Sequence, residues 1–348
     1  MKKENQVMKK IFTRILSVAL ICITLTQTAL AASNDNRMVL ENLFYRIDSM
    51  VNFDMPKGKE YQGKVLTEAQ AALLEKNSCD LIVEAVVKNN VSIRPIFAAG
   101  DRNIAYVVWE VIALNKRELN YGRYSFDNMD RSYQMRQWEA ENLDAFSTVT
   151  VGDNPPGSHT FGSMVYTLLD EDPNDNKIWL MTTVDETYSN IKLTGQTLNF
   201  HLANFSADID DEGGNYIVVA KGPWDFSFLL DYEDSTKEHI ENVTVLKRSG
   251  SSNGEKMNLK SIELSPLSLL ITGNKREADR DHFTVTLNKN DGSTKNIEIL
   301  VGYTTGYSGQ AGSSAVNRNF YAKYLFEEPL DVDGIVSVTI GGTELTLE

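Results

Sequence analysis

Cysteine is nearly missing from this 348-residue chain, which has only Cys22 and Cys79. Cys22 lies inside the one long apolar run, Ile15 to Leu25, so a chain that loses that run keeps a single thiol and can form no internal disulfide. A protein of this size without disulfides must be held by its hydrophobic core. Beside Leu81-Ile82-Val83, Cys79 reads as a buried, unreactive thiol rather than a nucleophile. Histidine is also scarce. His159, His201, His239 and His282 show no zinc-binding spacing, and one cysteine cannot complete such a site. Positive charge is in deficit, with 34 Lys and Arg against 48 Asp and Glu, a net charge of −14. That balance argues against nucleic acid or anionic lipid as partners, which would be repelled within a Debye length. It favours solubility and, at most, cation binding. No second apolar run follows, so no membrane span is expected in the mature chain. Strands do not alternate with long amphipathic helices, which disfavours a parallel α/β sheet, and no repeat of solenoid length is present.

The opening residues have the composition of a cleavable export signal. Lys9, Lys10 and Arg14 form a basic start, Ile15 to Leu25 an apolar stretch, and Ala29-Leu30-Ala31 a small-residue cleavage site. Cleavage is expected between Ala31 and Ala32. The chain that remains carries 29 basic and 47 acidic residues, a net charge of −18. Lipid attachment at Cys22 is disfavoured by Ile21, where a small residue is required. The apolar stretch has about half of the ~20 residues needed to span a bilayer. These features predict a secreted or cell-envelope-associated protein, and the short Lys-rich start suits a bacterial one.

Residues 32–79 read as an N-terminal helical preface. Met38 to Val51 places apolar residues at helical spacing, and Thr67 with Gln70 forms a capping box ahead of Ala69 to Leu74. From residue 80 the pattern turns to strands. Leu81–Val87, Val91–Phe97, Ile104–Leu114, Met164–Leu169, Ile178–Val184, Thr197–Leu202, Tyr216–Ala220 and Trp224–Leu230 are rich in β-branched and aromatic residues. Trp109, Trp179 and Trp224 lie within them and are read as core. Asn120 to Asp144 forms a long polar connection dotted with aromatics. A polar run, Asp231 to His239, breaks the series before eight further strands between Ile240 and Leu347, the last two joined by Gly341-Gly342. The expectation is a mostly β protein with two immunoglobulin-like antiparallel β-sandwich domains, residues 80–234 and 235–348, behind a short helical segment.

Several stretches carry a resemblance. Trp224-Asp225-Phe226-Ser227-Phe228, Thr236-Lys237, Ile262-Glu263-Leu264-Ser265-Pro266-Leu267-Ser268 and Val336 to Leu345 look like a bacterial extracytoplasmic family, domain-of-unknown-function family four-one-seven-nine, with its companion C-terminal immunoglobulin-like domain. The likeness is good over residues 216–348 and weaker over 80–215. It implies extracytoplasmic β-domains of the kind that accompany anti-sigma factors, and it brings no catalytic residues. This sequence departs from that plan in lacking a cytoplasmic segment and a second hydrophobic span, so a direct anti-sigma role is not expected.

The chemical motifs resolve toward structure. Gly250-Ser251-Ser252-Asn253-Gly254 spells a nucleophile elbow, but an elbow needs a parallel strand feeding a helix, and a hairpin loop fits better. Asp208, Asp210 and Glu212 begin like a calcium loop whose twelfth position is Val219 rather than an acid. Asp170, Asp172 and Asp175 are weak calcium candidates: hard oxygen ligands on a loop can hold the ion, yet hairpin tips of an acidic protein have the same composition. Tyr303 and Tyr307, in a Gly-rich segment without the Lys-Ser/Thr of a phosphate loop, are candidates for an interaction loop. No catalytic residue and no cofactor are assigned. The functional expectation is a non-catalytic binding protein with an unidentified protein or cell-wall partner. The alternatives are an extracellular hydrolase or carbohydrate-acting enzyme whose acids meet only in three dimensions, and a sensory ectodomain. N-terminal sequencing of the exported protein should begin at Ala32, whereas a chain still starting at Met8 in the membrane fraction would overturn the signal-peptide reading.

Overall fold

The computed structural model describes residues 67–119, 124–126, 147–153, 165–167, 175–186, 191–208, 216–246, 256–274, 282–300, 319–326 and 329–348. The export signal, Met38–Val51, the Gly250–Gly254 loop and the Tyr303/Tyr307 loop lie outside them. The expected capping box opens helix α1 (Glu68–Lys76): Thr67 Oγ1 accepts from the Gln70 amide at 3.2 Å, and Gln70 Oε1 accepts from the Thr67 amide at 2.9 Å.

The chain then forms β1 (Ser78–Asp80), β2 (Val86–Lys88), β3 (Val91–Gly100), β4 (Ile104–Ala113), β5 (Tyr124–Phe126), β6 (Thr148–Val151), β7 (Val165–Thr167), β8 (Lys177–Asp185), β9 (Thr197–Asp208) and β10 (Tyr216–Leu229). One sheet runs β1-β3-β4-β8-β7 with β2 also on β3, and a second runs β10-β9-β5 with β6 also on β9. A second series follows: β11 (Lys237–His239), β12 (Val243–Leu246), β13 (Lys256–Leu264), β14 (Ser268–Asn274), β15 (His282–Lys289), β16 (Thr294–Leu300), β17 (Asn319–Leu325), β18 (Ile335–Ile340) and β19 (Thr343–Thr346). It makes a sheet β11-β13-β14-β17 with β12 on β13, and a sheet β16-β15-β18-β19. Each of these strand pairs is antiparallel, and the mostly β, two-sandwich class expected from the sequence is what the chain forms.

Each sandwich has its own core. In the first, Trp109 is fully buried against Phe126, Phe200, Phe226 and Phe228, with ring centroids 4.9–6.2 Å away, and its indole N–H donates to Thr182 Oγ1 at 2.9 Å. Trp224 is buried in the same core. The second core gathers residues from Val245 to Leu347. A third apolar cluster joins the two sandwiches. Strand β4 sends Ala105, Val107, Trp109 and Val111 into the first core, and Ile104, Tyr106 and Val108 to its other face. There they meet Leu74 of α1, Trp179 and Met181 of β8, and Leu267 and Leu325 of the second sandwich.

Three expectations need correction. Leu81–Val87 is not one strand: β1 stops at Asp80 and β2 starts at Val86, although Leu81 N–H still donates to Ile96 O at 3.0 Å. Along β3 the pairing passes from Asp80 opposite Phe97 to Val86 opposite Ile93, so six residues on this side (81–86) face four on β3 (93–96) and the excess loops out. Ile82 is consequently fully exposed. Tyr216–Ala220 and Trp224–Leu230 are instead one strand, β10, carried through two register shifts opposite β9. The polar run Asp231–His239 ends in a short strand, β11, on β13. The Gly341-Gly342 turn behaves as expected, with φ of 59° and 84°. Trp109→Ala should cost about 3–5 kcal/mol of folding stability, read as a lower urea midpoint.

Candidate functional site

The densest assembly of polar side chains lies where the sandwiches meet. The β3–β4 turn places Asp101 there, almost completely buried. Its Oδ1 accepts from the amides of Asn103 at 2.8 Å and Ile104 at 2.9 Å, closing the turn locally. Its Oδ2 accepts from the hydroxyls of Ser265 and Ser268, each at 2.5 Å, on the turn between β13 and β14 of the other sandwich. Ser265 Oγ in turn accepts from the amides of Leu267 and Ser268, at 3.2 and 2.8 Å. Tyr232, on the segment linking the sandwiches, donates its hydroxyl to Asp101 O at 3.2 Å. Burial, with Asp101 nearby, pushes that phenol well above its ordinary pKa. Gly100 is required by this packing, since a Cβ would sit 2.4 Å from Ile104 O and 2.5 Å from the Tyr232 hydroxyl.

Arg102 extends the junction. Its guanidinium pairs with Asp234 at 2.9 Å and with Glu238, and stands 3.9 Å from Glu263. Asn103 Nδ2 donates to the same Glu263 at 3.1 Å. Burial works against the Arg102 charge, but Asp234 and Glu238 outweigh it and hold the guanidinium above its ordinary pKa. Burial likewise opposes the Asp234 charge, yet donors from Thr236 and Arg102 hold its carboxyl below the usual value. A further cross-domain pair joins Lys323 of β17 to Asp185 of β8 at 3.3 Å, both side chains buried.

A second polar grouping lies on β9 and β10. His201 Nδ1 is 2.6 Å from Asp225 Oδ1, so that nitrogen carries the proton and the carboxylate accepts it. Next to it Ser227 donates to Asn199 Oδ1 at 2.8 Å. An acid-histidine pair becomes catalytic when a nucleophile sits on the other ring nitrogen. Among the described residues, His201 Nε2 has no hydrogen-bond partner.

Of the residues singled out from sequence, Asp175 is placed: its Oδ1 accepts from the Lys177 amide at 2.6 Å, a turn-closing contact. Asp170, Asp172, Tyr303, Tyr307, Ala31 and Ala32 lie outside the described residues. Cys79 is partly buried, and burial pushes its thiol above the ordinary pKa. His239 Nδ1 lies 3.0 Å from Thr346 O. Among the described residues no cluster of three or more His, Cys, Asp or Glu is arranged to hold a metal ion, and no helix is long and apolar enough to cross a membrane. Sequence reading missed the junction. The available signal was the unbroken apolar run of β4, Ile104 to Val108, which marks a strand covered on both faces.

Fold and junction define a two-sandwich, mostly β protein. No family model and no curated protein matches the chain. Among solved structures it is similar to a conserved domain protein from Bacillus anthracis, at 14% identity over 77% of this chain and 79% of that one, with a TM-score of 0.46. A similarity of that size carries no argument about function.

The Asp234 carboxyl, held by Thr236 and Arg102, predicts a pH dependence. Because the folded carboxyl lies below its usual value of 3.8, its contribution is fully present above that value and is lost as pH falls through the lower, folded one. The difference in urea midpoint between the wild type and Asp234→Asn should therefore be largest above about pH 5 and shrink below about pH 4.

Proposed function

We propose that the chain is a secreted or cell-envelope-associated, non-catalytic β-sandwich protein that acts by binding a protein or cell-wall partner. One observation carries this reading. Among the described residues, the charged side chains at the domain junction are satisfied within the protein: both oxygens of Asp101 are occupied by amides and serine hydroxyls, and Arg102 is shared among Asp234, Glu238 and Glu263. A general acid or base needs a proton site directed at substrate, and these groups direct theirs at the neighbouring domain. The export-signal composition and the strongly acidic balance support an extracytoplasmic role with partners other than nucleic acid.

The test is capture of partners from culture medium and cell-wall fractions by the chain beginning at Ala32. Saturable retention of a protein or wall component, unchanged in His201→Asn and Asp225→Asn, is the expected result. Hydrolysis of a wall glycan or peptide that disappears in either variant would replace binding with catalysis.

A further inference from the structure

The junction joins elements that lie far apart in the chain, and its contacts are of two kinds. The apolar part buries Leu267 and Leu325 of the second sandwich against Phe97, Tyr106 and Trp179 of the first. The polar part places the Asp101 carboxylate under two hydroxyls from the other domain, at separations of 164 and 167 residues along the chain. The linking segment is not a free tether. Glu233 N–H donates to Lys76 O at the end of α1, Tyr232 is held by Asp101, and Asp234 by Arg102. Past it, Lys237 donates to Ile335 O at 2.9 Å, and Glu238 exchanges two backbone hydrogen bonds with Glu348, each at 3.0 Å. Domains within one chain commonly move relative to each other when their interface is small and wet. Here a buried carboxylate would lose two donors if the domains separated, and hydrogen bonds to a charged group are among the strongest in proteins.

We infer that the Asp101–Ser265–Ser268 contact is a lock that fixes the two sandwiches to one another, so that the protein unfolds and presents its surfaces as a single rigid unit. The inference concerns the body of the molecule and stands independently of what it binds. The lock requires a charged acceptor on one side and two hydroxyls on the other. Asn at position 101 could still close the turn through its carbonyl oxygen, but its NH₂ donates where the carboxylate accepted, and Ser265 Oγ already accepts from the amides of Leu267 and Ser268.

The test compares the wild type, Asp101→Asn, the double variant Ser265→Ala/Ser268→Ala, and Ser261→Ala. The last removes a hydroxyl paired with Thr272 within one sheet, and serves as a control. Two measurements are made: differential scanning calorimetry, and the rate of cleavage by a glutamate-specific protease after the exposed Glu233, read from the fragment that begins at Asp234. Wild type and Ser261→Ala should melt in one transition and resist cleavage. Asp101→Asn and the double serine variant should melt in two, with cleavage faster by on the order of tenfold or more. The serine variant leaves the Asp101 turn intact and decides the matter even if Asp101→Asn fails to fold. A single transition that only moves to lower temperature, with cleavage after Glu233 unchanged, would overturn the lock.

Discussion

The structure depends on the burial of one carboxylate. Asp101 is withdrawn from water in a turn whose geometry its own Oδ1 maintains, and its Oδ2 is satisfied only by side chains of the other sandwich. An ionised carboxylate buried without partners costs several kcal/mol. The turn, the two serines and the domain contact are therefore favourable together and unfavourable apart. Gly100 belongs to the same constraint, because any side chain there would push Ile104 and Tyr232 out of the positions that let Asp101 be covered.

Around that centre the acidic composition of the chain is put to use. Asp234, Glu238 and Glu263 converge on Arg102, drawn from the linking segment, β11 and β13. Three acids around one base form a network rather than a surface pair, and Arg suits it because its planar fork offers several donors at fixed angles. The apolar partner of this network is the outer face of β4 and β8. Sheet faces of a two-layer sandwich ordinarily alternate between core and solvent, but these two strands are covered on both sides. The first sandwich thus gives its central strands, rather than an edge, to the second.

Much of the architecture could be read from residues alone, for local reasons. The Thr67–Gln70 capping box starts its helix, the Gly341-Gly342 pair turns its hairpin, and the β-branched and aromatic runs become strands. Where the reading failed, a non-local partner decided. Leu81–Val87 has good strand composition, but it has more residues than the stretch of β3 between Phe97 and Ile93 that it faces, so pairing breaks in the middle. Lys237–His239 has poor strand composition and is a strand because β13 lies beside it. The stretch Ile262–Ser268 is by itself a strand and a turn; its serines acquire a role only opposite Asp101.

By itself the sequence determined the class of the protein: strand and turn chemistry, an acidic balance, a core without disulfides and two series of strands are properties of neighbouring residues and of composition. Only the tertiary structure decided how the two sandwiches are joined and which acids are spent in joining them. The reason is physical: Asp101, Arg102, Tyr232, Asp234 and Ser265 are ordinary turn and linker residues in sequence. A buried charge takes its energy from whatever partners the fold brings to it across more than a hundred residues, and no local pattern encodes that distance.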